Sequence, residues 1–121
     1  MTTAPGRPLR DRERRVAAKI LSAAAGTDEL VAQLPVARVR SGAVTFLNLA
    51  VPAEVPHASV PDGPLPVSAV VNDPDGHPLG EIIVWVEGGL LSALEYAWVT
   101  DEEPGEWPAP EHVSTSGQSG P

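Results

Sequence analysis

The chain has 121 residues, no cysteine, 14 prolines, 11 glycines and a net charge of −8. Its length suits one domain with one core, and the missing thiols exclude a disulfide framework, a cysteine nucleophile and a thiolate metal site. All eight Lys and Arg lie in residues 1–40 beside four acids, whereas residues 41–121 hold twelve acids and no Lys or Arg. Nucleic acid demands a basic footprint and is excluded as a partner, while a basic protein suits this field.

Residues 1–8 read as a flexible lead, and the domain is expected to start at residue 9. Arg12, Arg14 and Arg15 precede VAAKILSAAAG, and basic, apolar and small residues in that order are the parts of a secretory signal. Lys19 interrupts the apolar stretch, and Asp11 and Glu13 sit among the arginines. An amphipathic helix accounts for the same residues, with Val16, Ala17, Ile20, Leu21 and Ala24 at helical spacing. Glu13 can pair with a nearby arginine. Gly26 is placed to stop this helix in a left-handed cap. Thr27 then caps a second, short helix with Leu30, Val31 and Leu34 on its buried side, and Pro35 ends it. No apolar run approaches the ~20 residues of a membrane span, so no membrane partner is expected. With no thiol to protect, the localisation expected is cytoplasmic.

Beyond residue 35 the period becomes alternating. VARVR (36–40) and AVTFLNLAV (43–51) flank Ser41-Gly42, which reads as a hairpin turn. Five prolines make residues 52–66 an extended surface loop. VSAVVN (67–72) leads into the turn DPDG, and EIIVWVE (81–87) and LLSALEYAW (90–98) enclose Gly88-Gly89, a type I′ hairpin signal. The fold class expected is α+β: two N-terminal helices packed on one face of a roughly five-stranded, mostly antiparallel meander sheet over residues 9–100. Residues 101–121 lose alternation and read as a mostly disordered tail.

Strict alternation around Gly88-Gly89 places Ile82, Val84, Val86, Leu91 and Ala93 on an aliphatic face. The opposite face then gathers Glu81, Trp85, Glu87, Tyr96 and Trp98, aromatic residues ringed by acids, which suits protein contact. Two features disturb this picture. Glu95 falls on the aliphatic face, where Arg12 or Arg15 would have to meet it, and Trp107 in the tail could fold back to cover the aromatic residues.

No residue pattern carries catalysis. There is no phosphate-binding glycine loop, no H-E-x-x-H and no nucleophile elbow. His57, His77 and His112 are far apart and lack metal-ligand spacing. NDPDG at 72–76 fails as a calcium loop, because Val71 and Ile82 would occupy ligand positions 1 and 12; it reads as a turn. No cofactor, metal or catalytic residue is expected.

The segments LRDRERRVAAKILSA, DELVAQLPVARV and GEIIVWVEGGLLSALEYAWVTDEEPGEWPAP, spanning roughly residues 9–111, resemble a group of small uncharacterised actinobacterial proteins. These are known as hypothetical proteins or domains of unknown function, so the resemblance implies no site residues. The small acidic style is also similar to that of immunity proteins of bacterial toxin systems. The function expected is a non-enzymatic acidic interaction module, of the immunity type, that meets a basic partner or a second copy of itself. The alternative is a small-ligand-binding or enzymatic domain with a pocket between the sheet and the 52–66 loop.

Overall fold

The amphipathic stretch forms helix α1 (Asp11–Ser22), whose Val16, Ala17, Ile20 and Leu21 are buried. A computed structural model describes residues 6–117 of the protein. Gly26, with φ at +74°, lies in the turn to α2 (Asp28–Gln33). Thr27 occupies the position before α2, but its hydroxyl makes no cap there. It donates instead to the Leu21 carbonyl at 2.6 Å, with the Ala24 carbonyl 3.2 Å away. The end of a helix leaves carbonyls without partners, and a buried hydroxyl satisfies one of them. On α2, Leu30 and Gln33 are buried while the expected core residue Val31 is exposed. A 3-10 turn, Leu34–Val36, follows and carries the buried Leu34.

Among the described residues eight antiparallel strands make one sheet: β1 (Arg7–Pro8), β2 (Arg38–Ala43), β3 (Phe46–Ala50), β4 (Gly63–Pro64), β5 (Val67–Asn72), β6 (Pro78–Glu87), β7 (Leu90–Trp98) and β8 (Val113–Gly117). The order is β1-β2-β3-β7-β6-β5-β8, with β4 pairing β6. The five expected strands correspond to β2, β3, β5, β6 and β7. They do not run as a simple meander, because β3 lies beside β7 and the 52–66 loop carries the chain past the hairpin to β5 on the far side. That is Greek-key connectivity. The loop is tied down by Ala58 N–H donating to the Gly89 carbonyl and Leu65 N–H to the Val84 carbonyl, both at 2.9 Å.

The extra strands lie where no alternation signals them. Arg7 and Pro8, assigned to a flexible lead, pair with Val39 and Arg38. Residues 113–117, assigned to a disordered tail, pair along β5 from Val71 to Val67. Strand β8 is VSTSG and buries only Val113 among its side chains; its pairing is made by backbone groups, which leave no hydrophobic pattern. Residues 1–5 and 118–121 lie outside the described residues. The first hairpin also differs from expectation: Ser41 and Gly42 belong to β2, and the turn falls at Val44-Thr45. Tertiary contacts hold it there, since the Val44 carbonyl accepts the Trp107 indole at 2.6 Å and the Thr45 carbonyl accepts Tyr96 N–H at 2.7 Å.

One core joins Val16, Ile20, Leu21 and Leu30 of the helices to Val71, Ile82, Val84, Val86, Leu91 and Leu94 of the sheet. The start of α1 is fixed by Glu13, which is 3% exposed. Its two oxygens accept from the Arg7 guanidinium at 2.9 Å each, and Oε1 also accepts Arg10 N–H at 2.8 Å. The partner is thus Arg7 of β1 rather than an arginine of the helix. Burial pushes the Glu13 carboxyl up, but the bonds from Arg7 and Arg10 and their charges outweigh it, so its pKa lies below the ordinary value. A carboxyl depressed by folding contributes stability that is fully present above the unfolded pKa of about 4.3 and is lost as pH falls through the folded value. Glu13→Gln should therefore cost about 2 kcal/mol at neutral pH, less than a fully buried pair because Arg7 is partly exposed. In urea titrations the gap between parent and variant should close as pH drops below 4.3. A gap that persists unchanged once the carboxyl is protonated in both the folded and unfolded states would show that the ionised pair does not carry it.

Candidate functional site

The hairpin β6–β7 decides which side chains share a face. Gly88 and Gly89 have φ of +60° and +78°, as a type I′ turn requires, and Glu87 stands opposite Leu90 and Val86 opposite Leu91. The register then shifts: Trp85 pairs with Ala93, leaving Ser92 unopposed as a β-bulge. An extra residue in one strand reverses the facing of everything beyond it. Leu94 and Tyr96 consequently turn into the core with Ile82, Val84 and Val86, whereas Glu95 and Ala97 turn outward with Trp85, Ile83 and Glu81.

The bulge separates the five residues expected on one surface. Glu81 and Trp85 remain together on the outer face. Glu87 is exposed at the end of β6, next to the turn. Tyr96 is 4% exposed on the core side and packs edge-on against Trp107, with ring centroids 6.2 Å apart. Trp98 is at the end of β7, 38% exposed and opposite Gly80. Trp107 does fold back, as the tail alternative held, but it covers Tyr96 and leaves Trp85 uncovered. Arg12 secures that return by donating to the Trp107 carbonyl and to Glu106 Oε2, both at 3.0 Å. It makes no bond to Glu95.

Three residues outside the expected set, Phe46, Ile83 and Glu95, complete the outer face. Phe46 of β3 pairs with Glu95, which pairs in turn with Ile83. Phe46 is 37% exposed and does not enter the core, where its strand position would suggest. The half-buried Glu95 accepts the Trp85 indole N–H at 3.1 Å through Oε1. The surface is therefore an aromatic and aliphatic cluster, Phe46, Ile83 and Trp85, around one carboxylate, with Glu81 exposed beside it. Among the described residues no Lys, Arg or His pairs with Glu95.

Nothing this chain was compared with matches it, neither family model, curated protein nor solved structure. The site must be read from its own geometry. A cavity of about 560 Å³ does lie beside the 52–66 loop, but its other wall is Ala23–Ala25 at the end of α1, not the sheet. Among the described residues its lining is apolar apart from Ser59, with no charged side chain to orient a ligand. Asp73, Asp75 and His77 bring ligand atoms within 4.8 Å of one another at the β5–β6 turn. Asp73 Oδ1 is spent closing the turn, accepting Asp75 N–H at 2.9 Å and His77 N–H at 2.8 Å. Those backbone bonds, His77's foremost, hold the Asp73 carboxyl below its ordinary range. Among the described residues no helix is long and apolar enough to cross a membrane.

Proposed function

We propose that this chain is a non-enzymatic interaction module that receives a basic partner on the outer face of its sheet, in the manner of an immunity-type inhibitor. The observation that carries the reading is Glu95. It is a half-buried carboxylate with one oxygen bonded to the Trp85 indole, set among apolar side chains with no cation of its own. An arginine or lysine from a partner would supply a charge-assisted bond there, while Phe46, Trp85 and Ile83 exclude water around it. Glu81 and Glu87, both exposed, would steer encounter without adding much affinity.

The test is capture from a native cytoplasmic extract on the immobilised chain, followed by affinity measurement with the recovered protein. Trp85→Ala should weaken a true partner by about 2 kcal/mol, roughly 30-fold. Glu95→Gln should weaken it while leaving the indole bond in place. Glu81→Lys with Glu87→Lys should chiefly slow association, and more at low salt. A partner that binds all these variants alike would overturn the proposal. Concentration-dependent self-association abolished by Trp85→Ala would replace the basic partner with a second copy of this chain.

A further inference from the structure

On the core side of the sheet, away from Trp85, the segment 100–112 folds back over the β5–β6 turn and leaves a cleft of about 450 Å³. We infer that this cleft binds a small organic cation whose apolar body carries a hydrogen-bonding group. Its volume falls within the ~300–1,000 Å³ common to small-molecule sites. Tyr96 and Trp107, both 4% exposed, form part of its wall. The Trp107 indole is already spent on the Val44 carbonyl. The Tyr96 residue is buried, yet its hydroxyl has no hydrogen-bond partner among the described residues and keeps accessible surface where Tyr96 lines the cleft. Solvent meets that hydroxyl through the cleft, and a ligand atom entering there would take the place of water. Burial also pushes this phenol's pKa up, so at neutral pH it keeps its proton and can donate as well as accept.

The rim sets the sign of the charge. Arg12 and His112 are the basic side chains lining the cleft, against Asp73, Glu102 and Glu106. Arg12 is committed to Glu106 and to the Trp107 carbonyl. Asp73 and Glu102 therefore leave the mouth negative, and an anion would be repelled. Val71 and Leu79 add apolar wall beside the two aromatic rings, and aromatic faces also attract cations. The inference does not depend on the outer sheet face, because Tyr96 and Trp85 stand on opposite sides of the sheet.

Titration of the full chain with tyramine, followed by amide and indole NMR shifts, tests it. Tyramine should shift the Trp107 indole and the amides of Leu79 and Thr100 saturably, with a dissociation constant of about 1 mM or below. Phenethylamine, which lacks the hydroxyl, should bind about fivefold more weakly, the loss expected for one hydrogen bond. Tyr96→Phe should weaken tyramine by a similar factor and leave phenethylamine unchanged, a coupling that a merely structural tyrosine would not produce. Asp73→Asn with Glu102→Gln should weaken both amines about tenfold while the asparagine still closes the turn. Three results would overturn the inference: no saturable shift at about 10 mM tyramine, equal binding of 3-(4-hydroxyphenyl)propanoate, or shifts confined to the surface around Trp85.

Discussion

Gln33→Met is expected to lower the stability of the fold by about 3 kcal/mol, although it removes no volume from the core. Gln33 is 1% exposed, and all its hydrogen-bonding capacity on the amide nitrogen is used. Nε2 donates to the Pro56 carbonyl at 3.1 Å and the Gly89 carbonyl at 3.0 Å, and Oε1 accepts Leu91 N–H at 2.9 Å. One side chain thereby joins α2, the proline-rich loop and the β6–β7 hairpin. Methionine fills the same space but strands the buried Leu91 N–H, at about 1–3 kcal/mol, and forfeits the bond to the carbonyl of the exposed Pro56, at about 1 kcal/mol because water can replace it. The Gly89 carbonyl suffers less, since Ala58 N–H still reaches it at 2.9 Å. Urea unfolding reads the effect as a lower midpoint with an unchanged slope. A loss below 1 kcal/mol would mean that water or a relaxed backbone replaces the amide.

Gly89→Val should be as damaging, for a different reason. At φ of +78° a β-branched residue is strained by about 1–3 kcal/mol. A Cβ there would also lie 2.5 Å from the Ala58 carbonyl oxygen and 2.8 Å from His57 Cβ. Relieving that overlap means pushing the loop off the hairpin and breaking the Ala58–Gly89 bond, so a total of about 3 kcal/mol or more is expected. Gly88 supplies the control. It has φ of +60°, and a Cβ there would meet nothing within 4 Å, so Gly88→Asn should cost less than ~1 kcal/mol because asparagine tolerates this region. Similar losses at the two positions would attribute the effect to the turn alone and remove the loop from the account.

The outer face was half visible in the sequence. Leu91 and Leu94 cannot both point inward under strict alternation, and Glu95 cannot sit in an aliphatic layer without a partner. Both anomalies vanish with one extra residue in β7, and Ser92 is that residue. Together they were a readable sign of a bulge. The outward Phe46 had no such sign, because it depends on β3 lying beside β7, while the Glu95–Trp85 bond follows once the bulge has turned Glu95 to the face of Trp85.

By itself the sequence determined what short-range physics controls. The 3.6-residue period of Val16, Ile20 and Leu21 buried one side of α1, and two adjacent glycines set the Gly88-Gly89 turn because only their backbone takes positive φ at no cost. Alternation located β2, β3, β5, β6 and β7, since side chains on one side of each meet the core. Tertiary structure alone decided the rest. A single side-chain hydrogen bond leaves no period in the chain, so no pattern announces that Glu13 takes Arg7 six residues back, that Thr27 closes the helix behind it, or that Gln33 holds a hairpin far along the chain. Nor does a serine-rich edge strand or a returning tryptophan carry a pattern, because β8 is held mainly by backbone groups and Trp107 by its indole, the ring of Tyr96 and the bond from Arg12 to its carbonyl.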